Sequence, residues 1–325
     1  MIEAGIVGGS GYVAGELIRC LVRHPEVHID FVYSHSSPGK QAATIHEDLF
    51  PYPELVFTDQ VNPNVDVVFL CLGHGHSSKF LSENTFSTKT RIIDLSNDFR
   101  LQADARFEGK GFVYGLVELN REKIKQARYI ANPGCFATAI QLALLPLAFH
   151  GLLNYEVHIN AITGSTGAGQ KPTDTTHFSW RNNNLSIYKA FNHQHLGEIR
   201  ESLLCLQENF SHDLNFLPYR GDFTRGIFAS VYTQSDLSGE ALNDLYKDFY
   251  RNALFTKVSD TGINLKQVVN TNYCLLQVEK IDGKVLITSV IDNLLKGAAG
   301  QAIQNMNLQF GIDEGTGLDF KPNYF

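Results

Sequence analysis

Residues 2–7 (IEAGIV) form a short apolar run, Gly8-Gly9-Ser10-Gly11 interrupts it, and ELIRCLVRH then places apolar side chains at helical spacing. The order is strand, glycine turn, helix. A second strand pattern, VHIDFVY at 27–33, arrives at the distance a βαβ unit needs. DVVFLCL at 66–72 is almost wholly apolar, as a strand buried on both faces of a parallel sheet should be, and RIIDL at 91–95 supplies another. The pattern changes near residue 135. FATAIQLALL suits a buried helix, YEVHINAIT reads as a strand, and 173–191 shows no periodicity and reads as a long loop. Beyond it NFLPYRGDFTRGIFASVYT, ALNDLYKDFYRNAL, YCLLQVEKI and VLITSVI alternate strand-like and helical character, joined partly by short turns such as Asp282-Gly283. A last helix is expected to open at Asp292 and run through AIQNMNLQF.

Together these patterns predict an α/β chain with a Rossmann-like nucleotide-binding domain first and an α+β catalytic domain, built on a mixed or antiparallel sheet, second. A sheet of that second kind often serves as a dimerisation surface. The 325 residues, 43% hydrophobic, are enough for two separate cores. A net charge of −7 offers no basic field for nucleic acid or an acidic membrane, which leaves small molecules as partners. No apolar stretch is long enough to span a bilayer and the N-terminal run lacks the features of a signal peptide. The five cysteines are scattered and odd in number, so neither a disulfide framework nor a structural zinc site is expected, and a reducing cytoplasm is.

Candidate chemistry centres on Ala131-Asn132-Pro133-Gly134-Cys135-Phe136, where a turn precedes an apolar helix and sets Cys135 in its first turn. There the helix dipole and unpaired N–H groups favour a thiolate and can receive an oxyanion. Asn192-His193-Gln194-His195-Leu196-Gly197-Glu198 supplies two histidines that share a side if the segment is extended, and a carboxylate to orient one of them. Gly8, Ser10, Gly11, Tyr12 and Val13 form a loop suited to a phosphate, although Gly8-x-x-Gly11-x-x-Ala14 departs from the strict dinucleotide fingerprint. Ser34, Ser36 and Lys40, with no carboxylate among them, suit the 2′-phosphate of NADP. Gly73 and His74 lie at a strand's C-terminal end, where cofactors bind; His74 and His76 lack a third ligand, and no metal is expected. Arg100 can hold a phosphate or carboxylate, or else pair with Asp94 or Asp98. The glycine-rich run from 164, with Ser165 and Lys171, suits a substrate loop, and the small residues around Asn293 and Gly297 permit close approach by the cofactor.

VGGSGY, IIDLSNDFRL, YGLVELNR, ANPGCFAT, STGAGQK, HQHLGEI and DNLLKGAAGQAIQNMN together resemble the N-acetyl-γ-glutamyl-phosphate reductase family of arginine biosynthesis, relatives of aspartate-semialdehyde dehydrogenase, over essentially the whole chain. The resemblance implies Cys135 as nucleophile, His193 as acid/base, and His195, Glu198 and Arg100 as substrate or orienting groups. It also implies that the last helix returns to the first domain, giving an NADP-binding domain of 1–134 with 297–325 and a catalytic and oligomerisation domain of 135–296, in a homodimer or homotetramer. Gln194, Gly197, Gly73 and the order Ala14-Gly15 depart from the family pattern and leave the acyl cap open between acetyl and succinyl. The alternatives are aspartate-semialdehyde dehydrogenase, a carrier-linked aminoadipyl-phosphate reductase, and an NADP-binding redox sensor using Cys135.

Overall fold

The computed structural model describes residues 1–324. The chain divides into two compact units, one of residues 1–133 with 298–319 and one of residues 134–297 with those from 320 onward.

The first unit contains strands β1 (Ile2–Val7), β2 (Val27–Tyr33), β3 (Phe57–Thr58), β4 (Val67–Leu70), β5 (Arg91–Asp94), a small hairpin of β6 (Arg106–Phe107) and β7 (Lys110–Gly111), and β8 (Val113–Tyr114) and β9 (Tyr129–Ala131). Seven of them form one sheet in the order β3-β2-β1-β4-β5-β9-β8, with every pair parallel. All four residues of β4 and the last four of β1 are buried, which is why both read as unbroken apolar runs. The order reverses between β1 and β4, so the turns after these two strands flank a topological switch point, where ligands of open α/β sheets bind. Helices α1 (Tyr12–Leu21), α2 (Ser77–Glu83), α3 (Val117–Gln126) and a C-terminal helix (Ala299–Phe310) complete the unit. That last helix is buried almost throughout despite its amides, because each amide has work inside. Asn305 donates to the Gly115 carbonyl at 2.9 Å, Asn307 to the Thr316 carbonyl at 2.9 Å and Gln309 to the Ala127 carbonyl at 3.0 Å.

In the second unit α4 (Cys135–Phe149) is followed by β10 (Val157–Thr163), α5 (Phe178–Arg181), β11 (Ser186–Ile187), α6 (His195–Leu206), β12 (Leu214–Arg220), β13 (Ile227–Gln234), α7 (Gly239–Phe249), β14 (Thr256–Ser259), β15 (Cys274–Ile281) and β16 (Lys284–Ile291). The sheet, in the order β11-β12-β10-β13-β16-β15-β14, is mixed: β10 runs parallel to β12 and β14 to β15, and the other pairs are antiparallel. Strands β10, β12 and β13 alternate buried and half-buried residues, so one face is core and the other is open. The segment 173–191 is not wholly loop. Arg181 organises it by donating to the carbonyls of Thr175 and Arg220, a pattern of side-chain to backbone bonds that leaves no periodicity to read. The last helix begins at Ala299 rather than Asp292, because the Asp292 carboxylate accepts the N–H groups of Leu294 and Leu295 at 2.8 and 3.1 Å and holds a turn there. No helix among the described residues is long and apolar enough to cross a membrane.

Helix α4 is buried from Phe136 to Ala148 yet contains Pro146, whose missing N–H leaves the Leu142 carbonyl without its helical donor. The Tyr250 hydroxyl supplies one at 2.5 Å, and the Tyr246 hydroxyl donates to the Ala143 carbonyl at 2.6 Å. Tyr250→Phe should therefore cost about 1–3 kcal/mol in urea unfolding, the penalty of a buried unsatisfied carbonyl. The loss should shrink in a Pro146→Ala background, where the restored N–H takes that carbonyl; equal losses in both backgrounds would refute the account.

Candidate active site

Gly134 is the extended N-cap of α4 (φ −73°, ψ 151°) and Cys135 its first helical residue, so the thiol lies beside N–H groups that have no acceptor within the helix. The Gly134 N–H donates to Oε2 of Glu198 at 3.0 Å. A Cβ at Gly134 would stand 2.4 Å from His195 Nε2 and 2.7 Å from Glu198 Oε1, and one at Gly297 would stand 2.7 Å from the Cys135 Cβ. Both glycines are there because Cys135, His195 and Glu198 occupy the space a side chain would take.

Helix α6 starts at His195, and Gln194 before it is already helical (φ −56°, ψ −25°), so the two histidines do not lie on an extended segment as their spacing suggested. They meet for another reason. His193 Nδ1 accepts the N–H of His195 at 3.2 Å, which folds the first ring back over the helix start, and the ring centroids lie 4.5 Å apart. His195 Nε2 lies 3.8 Å from the Glu198 carboxylate, and both residues are buried. His193 packs between Phe136, Phe216 and Tyr188, with centroids at 5.5, 5.4 and 5.9 Å. Burial, and then the nearby Lys189 charge, pull His193 down to about 4. At neutral pH the ring is uncharged, and because Nδ1 accepts, its proton resides on Nε2.

In the same unit Ser165 opens a short turn whose backbone is tied to the segment after β12: Ser165 N–H donates to the Phe223 carbonyl and Gly164 N–H to the Gly226 carbonyl. Lys171 lies exposed beyond it. Asn293 accepts from the Gly226 N–H at 2.7 Å and donates to Thr166 at 3.1 Å, so its amide has partners within this unit.

In the first unit Gly8 (φ +84°) and Gly9 are demanded by the protein's own packing, since Cβ atoms there would fall 2.6 Å from the Cys71 carbonyl oxygen and 2.4 Å from Val32 Cγ1. Gly11 differs. It is the N-cap of α1, and the nearest atom to a Cβ there would be 3.8 Å away, so its bareness serves the open side, in front of the first-turn N–H groups of Tyr12 and Val13. Ser34 is buried at the end of β2, its hydroxyl 3.5 Å from that of Ser36, while Ser36 and Lys40 are exposed and no acidic residue falls between 34 and 40. The turn carrying Gly73 and His74 is held from the next strand's end: Asp98 accepts the N–H groups of Gly75, Ser77 and Ser78 at 2.6, 3.0 and 3.1 Å. His74 Nδ1 accepts from Asn97 at 3.1 Å. Asp94 accepts from the Ser77 and Ser96 hydroxyls at 2.6 and 2.7 Å, yet complete burial still pushes it up to about 6. Arg100 donates to the carbonyls of Asn132 and Leu95 at 2.8 and 3.0 Å, which tie it to the backbone of this unit. The sequence reading missed His46, whose Nε2 bonds the Gly9 carbonyl at 2.7 Å and whose ring fills the space above Gly15. Nothing in its spacing points to it, but the order Ala14-Gly15 is its trace, because a Cβ at 15 would lie 2.5 Å from His46 Nδ1. Among the described residues no group of three or more His, Cys, Asp or Glu is arranged to hold a metal ion.

The family models described as semialdehyde dehydrogenase, NAD binding domain, and semialdehyde dehydrogenase, dimerisation domain, match residues 3–127 and 135–293. The N-acetyl-γ-glutamyl-phosphate reductase of Flavobacterium johnsoniae is 63% identical over 325 residues, covering 100% of both chains. The chain belongs to the N-acetyl-γ-glutamyl-phosphate reductase family. Relatives of that name from Christiangramia forsetii and Bacteroides thetaiotaomicron are 58% and 52% identical, each again over 100% of both chains. Among solved structures, aspartate semialdehyde dehydrogenase II of Vibrio cholerae superimposes with a TM-score of 0.74 over 96% of this chain and 98% of that one, at 17% identity, a likeness of fold.

The family's histidine pair carries a stability signature here. A histidine whose folded pKa lies near 4, below the usual 6.5, binds fewer protons folded than unfolded, so its contribution is complete above pH 6.5 and is lost as the pH falls toward 4. Between pH 7 and 5 urea unfolding should show a loss of about 1–2 kcal/mol that His193→Asn lacks. An identical pH dependence in both proteins would contradict the burial of a neutral ring.

Proposed function

We propose that the chain reduces an N-acyl-γ-glutamyl phosphate, with N-acetyl as the first choice of cap, to the N-acyl-glutamate 5-semialdehyde, releasing phosphate, as a step of arginine biosynthesis in the cytoplasm. The observation that carries this reading is Cys135 at the start of α4, with Glu198 holding the residue before it and His195, the inner member of the histidine pair, beside that carboxylate. Relatives of 52–63% identity over the full length bear the name of this reaction.

In the mechanism, Cys135 thiolate attacks the acyl phosphate, the free N–H groups at the N-terminus of α4 receive the oxyanion, and the carbon–oxygen bond to phosphate breaks to leave a thioester. Gly8, Ser10, Gly11, Tyr12 and Val13 would hold the pyrophosphate of NADP, Ser34, Ser36 and Lys40 its 2′-phosphate, with Gly73, His74, Asn293 and Gly297 beside it. The open face at Gly11 and the absence of acidic residues from 34 to 40 fit that group. When bound, NADPH supplies the hydride that turns the thioester into a thiohemiacetal. His193, neutral with its proton on Nε2, is the hydrogen-bond donor to the substrate oxygen. His195 carries the proton that must be given and taken as the aldehyde leaves, with Glu198 as counter-ion to its imidazolium. Ser165 and Lys171 are the remaining substrate contacts of the second unit, while Arg100, the other candidate, donates to the carbonyls of Asn132 and Leu95 in the first unit.

Phosphate-dependent reduction of NADP with N-acetylglutamate semialdehyde and with N-succinylglutamate semialdehyde tests this directly. Wild type should turn over one of them, and Cys135→Ser should be silent. His195→Asn should lower kcat by about 10²–10⁴-fold and remove a limb of the pH–rate profile, whereas His193→Asn should lower it by about 10²–10³-fold with that limb kept. Turnover surviving in Cys135→Ser would end the thioester route.

The same reading includes a homodimer or homotetramer. The open face of the second sheet presents Ile162, Leu217, Phe228, Tyr232, Leu275 and Leu286, all half-buried in the single chain, an apolar area suited to a second copy. Phe228→Glu should lower the mass measured by light scattering to that of the 36.3 kDa monomer. An unchanged mass would move the interface elsewhere.

A further inference from the structure

Strands β10 and β12 end together, Thr163 in register with Arg220, and both residues fall on the sheet face that carries Phe216. Phe216 packs edge-on against Phe136 and His193, at 5.3 and 5.4 Å. Arg220 therefore leaves the sheet on the side of the nucleophile's helix, and its guanidinium carbon lies 4.8 Å from the centroid of Tyr188, the ring that also touches His193. One aromatic ring separates a guanidinium from the histidine pair.

Two donors at these strand ends are buried and unused. Arg220 Nε and Thr163 Oγ1 have no hydrogen-bond partner in the protein, and Thr163 is 1% exposed. An idle buried donor costs about 1–3 kcal/mol, so two at one place call for a ligand. The surroundings hold them in place. Arg181 takes the Arg220 carbonyl at 2.6 Å, and Asp222, two residues on, accepts the Asn183 N–H at 2.5 Å. A Cβ at Gly167 would come within 3.0 Å of the Thr163 hydroxyl, so glycine at 167 leaves that hydroxyl clear beneath the loop that begins at Ser165. Burial, and then the charge of Cys135, push the Tyr188 phenol up to about 12 against the charge of Arg220 and a hydrogen bond from its guanidinium, so the phenol stays neutral and engages the guanidinium while Nε is left without a partner.

We propose that Arg220 and Thr163 form an oxyanion subsite of the catalytic unit, which takes a carboxylate or phosphate group of the substrate. The guanidinium supplies charge and direction, the hydroxyl a second donor, and Tyr188 a flat support. The proposal rests on the reaction given above for the identity of the substrate, not for the existence of the subsite. Two sources of the oxyanion are open, the phosphate that leaves and the α-carboxylate that stays.

Calorimetric titration of wild type, Arg220→Met, Arg220→Lys and Thr163→Val with inorganic phosphate and, separately, with N-acetylglutamate distinguishes them. Arg220→Met should weaken one ligand about tenfold or more and the other less than about threefold, and Thr163→Val should weaken the same ligand about three- to tenfold. Arg220→Lys should recover part of the loss, since charge returns without the fork. Loss confined to phosphate assigns the leaving group, and loss confined to N-acetylglutamate assigns the carboxylate. The KM for that one substrate should rise correspondingly in the phosphate-dependent assay. Unchanged binding, equal losses on both ligands, or no binding of either to wild type would overturn the subsite. Because titration needs no turnover, a wild type that binds one ligand through Arg220 but reduces no NADP would sink the proposed reaction and leave the subsite standing.

Discussion

The carboxylate of Glu198 is the constraint on which the catalytic unit's site depends. It is 3% exposed, it accepts the N–H of the residue that caps α4, and it stands 3.8 Å from an imidazole of its own helix. A negative charge at a helix N-terminus is favoured by the dipole, so the start of α4 is a suitable place for this carboxylate. Its main-chain carbonyl accepts from Gln141 at 2.9 Å, and Gln141 also donates to Ser202 at 3.0 Å. Helices α4 and α6 are thus linked by three hydrogen bonds within two turns, and Cys135 and the histidines cannot slide past each other without leaving buried polar groups unpaired.

That fastening makes the small residues obligatory. With Glu198 and His195 drawn against the start of α4, Gly134 has no room for a Cβ, and with Cys135 fixed the turn held by Asp292 can pass behind it only at Gly297. Asp292 is itself fully buried, paired with Arg225 at 3.1 Å, and its oxygens take N–H groups of Asn270, Leu294 and Leu295. Removing one partner of such a pair leaves a buried charge exposed to a penalty of about 3–5 kcal/mol, so the turn is as rigid as the helices it backs. Cys135 is therefore held in place by hydrogen bonds to the backbone beside it.

Much of this was legible in the sequence because it depends on local rules. A turn before an apolar run places Cys135 at N1 of α4, and the glycine loop falls between strand and helix where the pattern put it. The tertiary partners were not legible. His46 supports Gly9 and faces Gly15 from more than 30 positions away, and Arg220 comes to lie over Tyr188, the ring beside His193, only because β12 lies beside β10 in a mixed sheet, a pairing that hydrophobic alternation cannot specify. The reading of His193 and His195 failed in its geometry for a definable reason. Period-two logic holds for strands, and a backbone hydrogen bond from the second histidine to the first produces the same proximity at a helix start.

The polar signature IIDLSNDFR shows why motif and ligand contact are different things. Asp94, Ser96 and Asp98 turn inward, to Ser77 and to the N–H groups of the 75–78 turn, and Arg100 turns to the carbonyls of Leu95 and Asn132. These side chains shape loops; the donors left over at the switch point and at α4 are backbone N–H groups. A backbone donor is available whatever residue carries it, so recognition of phosphate and oxyanion can persist while side chains change around it. The exceptions should be side-chain donors that the protein itself does not use, and at the ends of β10 and β12 the hydroxyl of Thr163 and the Nε–H of Arg220 are of that kind.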